Sequence, residues 1–589
     1  MSRENCVQLN ASEANRAENR SEGNHLVTVV ACYAFLSTLI GRTFTALIAT
    51  PLEGSDGPLF AYIASEWLKG HIPYLFTWEN KPPGIFITNA ATFLLFPGNL
   101  KTLAVTEAFF FFGCVATVYL LMRSWGAPRV VAALAVALTA GAGNLLWFNQ
   151  GGNLTEIYVL WPATLSIYLF SRAAPNYRGK WVFLAGFFAG VAALFKPIGI
   201  AALLAQTLLL FLLYISFRRL SARDLIISST VSWAGAVSAW VPAFIYFYHY
   251  KALREMLFAS FGYNFEYVGS NWAQAPFWAL LVAIPVLKPI GAAAIMGAVG
   301  LFEVVSKLTS AARARQWESK AFEPLIFWTL SLLWFFFDLA GALASGRGYR
   351  HYFLAMVPSL SVSAAMTFWN FTRGFPNDRR PGASLKLQYL LFLVVSGPIL
   401  FSQAGDVWKL RLALVQPAVK TPAHITADYL NSVRQASDTL FVWNYLPEIY
   451  FLTGMSSSVR VLTALHTSLS PQGHERFGGE ILRELNEQPA TYVVDATADV
   501  NSFVGQDSMY QGFRDFVERR YSLVRAFGDV KIYKLATPKD SGTLPAVERR
   551  LRLPVGNAHG PAARVSHLQE LLASPGSAEG QHRKWIYSE

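Results

Sequence analysis

Runs of about 20 apolar residues, nearly free of charge, recur through the first 400 positions of this 589-residue chain, with short polar connections between them. A helix rises about 1.5 Å per residue, so each run can cross a hydrocarbon core of roughly 30 Å. The pattern predicts about eleven spans, near 26–48, 101–123, 129–148, 155–172, 180–195, 198–217, 224–248, 275–303, 322–344, 351–371 and 386–402. The fifth and sixth are the least separated, since only Lys196-Pro197 parts them.

Past residue 403 the hydropathy falls and the period changes. Thr439 to Trp443 and Thr491 to Asp495 read as strands, and Gly479 to Gln488 and Met509 to Arg520 as amphipathic helices. Two further strands, near Ser522 to Phe527 and Val530 to Leu535, turn at Gly528-Asp529. The expected fold class is therefore a polytopic α-helical membrane protein with a small C-terminal α/β domain over 403–536. Residues 537–589, rich in Pro, Gly, Ser and Arg, read as disordered. Residues 1–24 read as a polar cytoplasmic tail before an uncleaved first span, because no small-residue cleavage site follows the apolar run near Leu26 to Ile48.

Composition sharpens the class. Hydrophobic residues make up 53% of the chain and charged residues 15%, with a mean hydropathy of +0.32, so most of the apolar surface must face lipid. The net charge of +12 invites a nucleic-acid reading, but Lys and Arg fall in short loops and form no basic stripe on a soluble face. Three cysteines, at 6, 32 and 114, provide neither a disulfide framework nor metal-ligand spacing.

The basic residues instead sort the loops. Arg123 and Arg129, the set Arg172, Arg178 and Lys180, the set Arg218, Arg219 and Arg223, the cluster from Lys307 to Lys320 and that from Arg373 to Lys386 occupy alternate connections, which the positive-inside rule makes cytoplasmic. The segments 49–100, 149–154, 249–274 and 345–350, together with everything after 403, then face outward. A missed or invented helix would scramble that alternation.

Every motif-like residue falls on the outward side. The first outer loop carries Glu53, Asp56, Glu66 and Glu79 with Lys69 and Lys81, among many aromatic residues, and Ala61 to Leu68 can form an amphipathic helix along the interface. A carboxylate at a membrane surface can accept a proton from a hydroxyl or hold a metal, and a lysine can hold a phosphate. Equally, such charges can be solvated at the headgroup level with no chemistry attached.

Order and spacing favour the first alternative. Asp56, Phe60, the run Leu68-Lys69-Gly70-His71-Ile72-Pro73-Tyr74 and the run Glu79-Asn80-Lys81-Pro82-Pro83-Gly84 resemble, in sequence order, the first loop of the GT-C glycosyltransferases of the protein O-mannosyltransferase and lipid A aminoarabinose transferase (ArnT-like) superfamily. Glu156 in NLTEIYVLWP, Lys196 in FKPIG, Asn264 and Tyr267 in FGYNFEYVG, and Arg347, Arg350, His351 and Tyr352 in GRGYRHYF are similar to later outer motifs of the same family. The resemblance covers roughly residues 26 to 400. Many relatives carry a second acidic residue directly after the first-loop Asp, whereas this chain has Gly57-Pro58, which leaves a carboxylate dyad unsupported unless Glu53 substitutes.

The resemblance implies a sugar donor linked to polyprenyl phosphate, an extracytoplasmic acceptor that is a lipopolysaccharide, another glycan, a lipid or a protein, and inversion at the anomeric carbon. Asp56 would be the general base; Lys81, Arg347, Arg350 and His351 would hold the donor phosphate; Glu79, Glu156, Lys196, Asn264, Tyr267 and Tyr352 complete the candidates. Glu79 and His351 could share a divalent metal ion, although no ligand spacing establishes one. The family style favours a bacterial inner membrane with the site and the C-terminal domain in the periplasm. A lipid-linked-sugar flippase is the competing class, but the chain shows neither internal repeats nor polar, broken helices at mid-membrane. A non-catalytic scaffold is the third.

Overall fold

The computed structural model describes residues 25–42, 56–149, 151–268, 284, 287–314, 323–344, 346, 349–373, 381–415, 420–464, 471–496 and 508–536. The sequence readings for 1–24 and 537–589 lie outside these residues, as does the start of the eighth expected span.

The helical part begins with α1 (His25–Arg42), followed by α2 (Asp56–Leu68) and α3 (Gly84–Leu95) in the first loop. Then come α4 (Leu100–Ser124), α5 (Arg129–Gly143), the single turn α6 (Leu146–Asn149), α7 (Thr155–Arg172), α8 (Lys180–Phe195), α9 (Ala201–Ile215) and α10 (Ala222–His249). Two short helices, α11 (Leu253–Leu257) and α12 (Tyr263–Val268), precede α13 (Gly291–Ala314), α14 (Glu323–Leu343), α15 (Val357–Arg373) and α16 (Pro381–Val415). Among the described residues seven helices are long and apolar enough to cross a membrane, namely α1, α4, α10, α14, Pro197–Ile215 containing α9, Lys288–Ser310 at α13, and Leu390–Leu412 within α16. The molecule is a polytopic helical membrane protein, as the hydropathy predicts.

Close approach of backbones sets the packing in the middle of the bundle. A Cβ on Gly186 of α8 would lie 1.8 Å from the Ser232 carbonyl of α10, and one on Gly190 would lie 2.3 Å from the Ala236 carbonyl, so small residues are required where these helices cross.

One boundary differs from expectation. The last span was read as ending at 402, yet α16 continues unbroken to Val415, across the expected domain edge at 403. The polar residues that end the apolar run have partners in the bundle: Tyr33 donates to Gln403 Oε1 at 2.5 Å, Gln403 donates to Ser37 at 2.7 Å, and the Leu146 amide donates to Asp406 at 3.0 Å. Satisfied polar groups let a helix continue where hydropathy alone predicts a stop.

Beyond α16 lie α17 (Pro422–Val433), β1 (Leu440–Trp443), α18 (Glu448–Thr453), α19 (Pro471–Glu487), β2 (Tyr492–Asp495), α20 (Ser508–Arg520), β3 (Tyr521–Phe527) and β4 (Val530–Leu535). The sheet order is β1-β2-β4-β3, with β1 and β2 parallel and the others antiparallel. Phe527 pairs with Val530, so Gly528-Asp529 makes the expected two-residue turn.

This α/β unit packs on the first loop. Trp78 donates its amide to the Arg460 carbonyl at 2.8 Å, the Ser457 amide donates to Tyr62 Oη at 2.8 Å, and Ser456 donates to buried Glu66 at 2.9 Å. Arg460 spans three elements, reaching Glu480 at 2.6 Å, Glu255 at 2.9 Å and the Tyr74 carbonyl at 3.1 Å. The expectation that the first-loop helix lies along the interface is therefore corrected. Leu59 to Ala64 of α2 are all buried, because α18 covers the helix, with Tyr62 and Tyr450 rings 5.1 Å apart.

Candidate active site

Asp56 opens α2, where the helix dipole favours a carboxylate. It accepts a hydrogen bond from Tyr445 Oη, contributed by the loop between β1 and α18. Gly57 sits under it for a steric reason: a Cβ there would come 2.5 Å from the Gly152 carbonyl. No second acidic side chain fits at that position.

Further along the same loop, Lys81 Nζ lies 2.8 Å from Asn80 Oδ1 and 3.3 Å from Glu79, above the Phe60 ring at 5.7 Å. Tyr74 donates to the Lys81 carbonyl at 2.8 Å and fixes that turn.

The later motifs meet at the end of the bundle. Glu156, in the first turn of α7, pairs with Lys196, which caps α8. His351 Nε2 lies 4.0 Å from the same carboxylate, and the Lys196 ammonium sits 3.7 Å from the centre of the Tyr352 ring. His351 and Tyr352 belong to a 3₁₀ turn, Arg350–Leu354, that leads into α15. The loop that carries Lys81 packs on the end of α8, where a Cβ on Gly84 would lie 2.5 Å from the Leu194 carbonyl, two residues before Lys196, and Asp56 and Lys81 act electrostatically on both Lys196 and His351. Arg350 stacks its guanidinium 3.6 Å from the centre of the Trp147 ring on α6, with burial holding its pKa below the ordinary value.

Some expected members do not join this group. Asn264 turns back on its own helix, donating to the Ser260 carbonyl at 2.7 Å, and the neighbouring Glu266 leans 3.7 Å from Arg476 of the α/β unit. Arg347 and Glu53 lie outside the described residues, and so does the side chain of Tyr267. Of the two residues suggested to share a metal, Glu79 pairs with Lys81 and His351 lies 4.0 Å from Glu156, and among the described residues no three His, Cys, Asp or Glu side chains come together as a cage.

Tyr445 is the residue that sequence reasoning missed. Burial first, and then the nearby carboxylates of Asp56, Glu79 and Glu448, push its phenol well above its ordinary value of 10.0, so it remains a donor to Asp56. No local signal marks it, because 389 positions separate the two partners.

Chemically, the arrangement offers one carboxylate steadied by a phenol, together with two lysines paired with Glu79 and Glu156. Three carboxylates against two lysines leave the cluster short of positive charge.

Comparison with family models and with curated proteins gave no match in either case. Solved structures do match in fold. The archaeal oligosaccharyltransferase AglB from Archaeoglobus fulgidus, in complex with an inhibitory peptide and a dolichol-phosphate, aligns with a TM-score of 0.50 at 12% identity over 83% of this chain and 72% of that one. ArnT from Cupriavidus metallidurans bound to undecaprenyl phosphate aligns at 0.45 and 14% identity, over 86% of this chain and 97% of that one. Apo ArnT from the same organism aligns at 0.38 and 14%, over 87% and 98% respectively. The chain thus shares its fold with AglB.

Proposed function

We propose that this chain is a membrane glycosyltransferase that moves a sugar from a polyprenyl-phosphate donor to an extracytoplasmic acceptor hydroxyl. The observation that carries the reading is the convergence of Asp56 and Lys81 of the first loop with Lys196 and His351, drawn from three separate segments, beside the arginine-bearing turn before α15. The fold supports it, since AglB is an oligosaccharyltransferase whose structure holds a dolichol-phosphate.

In this mechanism the acceptor hydroxyl gives its proton to Asp56 as its oxygen attacks the anomeric carbon. The bond from that carbon to the phosphate oxygen breaks, configuration inverts, and polyprenyl phosphate leaves with the electron pair. Lys81, Arg350 and Arg347 neutralise the departing charge, with His351 beside them, in a partly dry site where each cation counts for more than in water. Tyr445 keeps the carboxylate aimed. Lys196, already paired with Glu156, holds α7, α8 and the 3₁₀ turn together around the phosphate position. The positive-inside loops put this site on the non-cytoplasmic face, in a bacterial inner membrane on the family style.

The test is binding of undecaprenyl phosphate to the purified chain by native mass spectrometry. The wild type should bind, and Arg350→Ala combined with Lys81→Ala should weaken binding by at least about tenfold, the loss expected when charge-assisted contacts are removed. Equal binding by the double variant would refute the assignment of the phosphate site.

A further inference from the structure

A second network reaches Asp56 from inside the bundle. Arg42, the last residue of α1, pairs with Glu107 of α4 at 3.0 Å, and both side chains are almost fully buried. The guanidinium also donates to Asn149 Oδ1 at 3.0 Å, the Gly143 carbonyl at 3.1 Å and Asn144 Oδ1 at 3.3 Å. The other Glu107 oxygen accepts the backbone N–H of Asn153. That residue ends a turn in which Gly151, Gly152 and Asn153 all have positive φ, at 95, 85 and 53°. Left-handed backbone is uncommon for any non-glycine residue, and here the buried ion pair over-determines it.

Asn153 uses both ends of its side chain. Its Oδ1 accepts from Tyr158 at 3.1 Å, and its Nδ2 donates to the Gly57 carbonyl at 2.9 Å, on the residue next to Asp56. Gly152 supplies the carbonyl that excludes any Cβ from position 57. The turn thus holds the Gly57 carbonyl while Tyr445 holds the Asp56 carboxylate.

Building on the glycosyltransferase reading, we infer that Asn153 is a positioning residue, which holds the Gly57 carbonyl, one residue on from Asp56, and so aims the Asp56 carboxylate at the acceptor hydroxyl. Arg42 and Glu107 act one step further back, by fixing the Asn153 turn. A bond made only for folding would end on any convenient carbonyl. This one ends beside the proposed base.

Asn153→Gly tests the idea, because glycine keeps the left-handed backbone and the N–H to Glu107 and removes only the side chain. Asn153→Asp, of the same shape but lacking the Nδ2 donor, is the second variant should the first fail to accumulate. Transfer is measured in membranes of a deletion strain supplied with the native lipid extract as donor, alongside undecaprenyl phosphate binding and the melting temperature in detergent. The maximal rate should fall roughly 10- to 100-fold with binding and melting temperature unchanged, as expected for misplacement of a reacting group. In an Asp56→Asn background the change should add no further loss, since residues that act as a unit are non-additive. Wild-type rates in both variants, a parallel loss of binding and melting temperature, or additive losses would each overturn the inference. A wild-type chain that transfers no sugar would instead overturn the glycosyltransferase reading on which it stands.

Discussion

Asp56 takes a phenolic hydrogen bond from a residue of another structural unit, and that contact has a consequence for pH dependence. Because burial and neighbouring carboxylates raise the Tyr445 phenol above its ordinary value, the neutral form is favoured and the donor persists as pH rises through 10.0. The alkaline limb of a pH–rate profile should therefore be the same for the wild type and for Tyr445→Phe. The variant should lose rate by about tenfold, in line with the removal of one hydrogen bond to a charged group. An alkaline limb present in the wild type and absent from Tyr445→Phe would show that the phenol itself titrates in the accessible range. At the neighbouring position, Gly57 illustrates the same tight construction: the Gly152 carbonyl occupies the volume that a side chain would need.

Among the elements, those with strong periodicity were legible in the sequence. The boundaries of α4, α7, α8 and α10 fall within two residues of the apolar runs, because the charged residues that end each run also sit at the helix ends. The strands β1 to β4 were legible for a similar reason, with alternating or wholly apolar segments between turn residues. What escaped was decided by tertiary partners. The extension of α16 depends on Tyr33, Ser37 and Leu146 reaching Gln403 and Asp406, and the burial of α2 depends on α18 lying over it. The candidate site divides along the same line: Asp56, Lys81, Glu156, Lys196 and His351 could be picked out by motif, whereas Tyr445 and Asn153 are visible only once the chain has folded.

The joint between the first loop and the α/β unit is held by Arg460, whose guanidinium meets Glu255, Glu480 and the Tyr74 carbonyl. Replacing it with Ala strands two partly buried carboxylates and loosens Trp78 from the isolated bridge at Val461. Arg460→Ala should therefore lower the melting temperature in detergent by several degrees and expose the α/β unit to limited proteolysis, with undecaprenyl phosphate affinity unchanged. Proteolysis at the wild-type rate would show that the apolar contacts of Trp78 and Phe477 suffice alone.

On the scale of the whole molecule, the first loop is the hub. The bundle supports it from one side through Asn153 and the close approach of Gly84 to the Leu194 backbone, and the α/β unit covers it from the other through Tyr445, Ser456 and Arg460. Such an arrangement suits a reaction in which a lipid-borne donor enters from the bundle and a bulky acceptor arrives from outside, with one carboxylate at their meeting point. The most direct test is mass spectrometry of envelope glycolipids and polysaccharides from a deletion strain complemented with the wild-type gene or with Asp56→Asn. The account predicts that one sugar is missing from the deletion strain, is restored by the wild type, and is absent or reduced by at least about a hundredfold with Asp56→Asn at equal membrane abundance, as expected for loss of a general base. Full restoration by Asp56→Asn, or a deletion strain with no missing sugar, would contradict it.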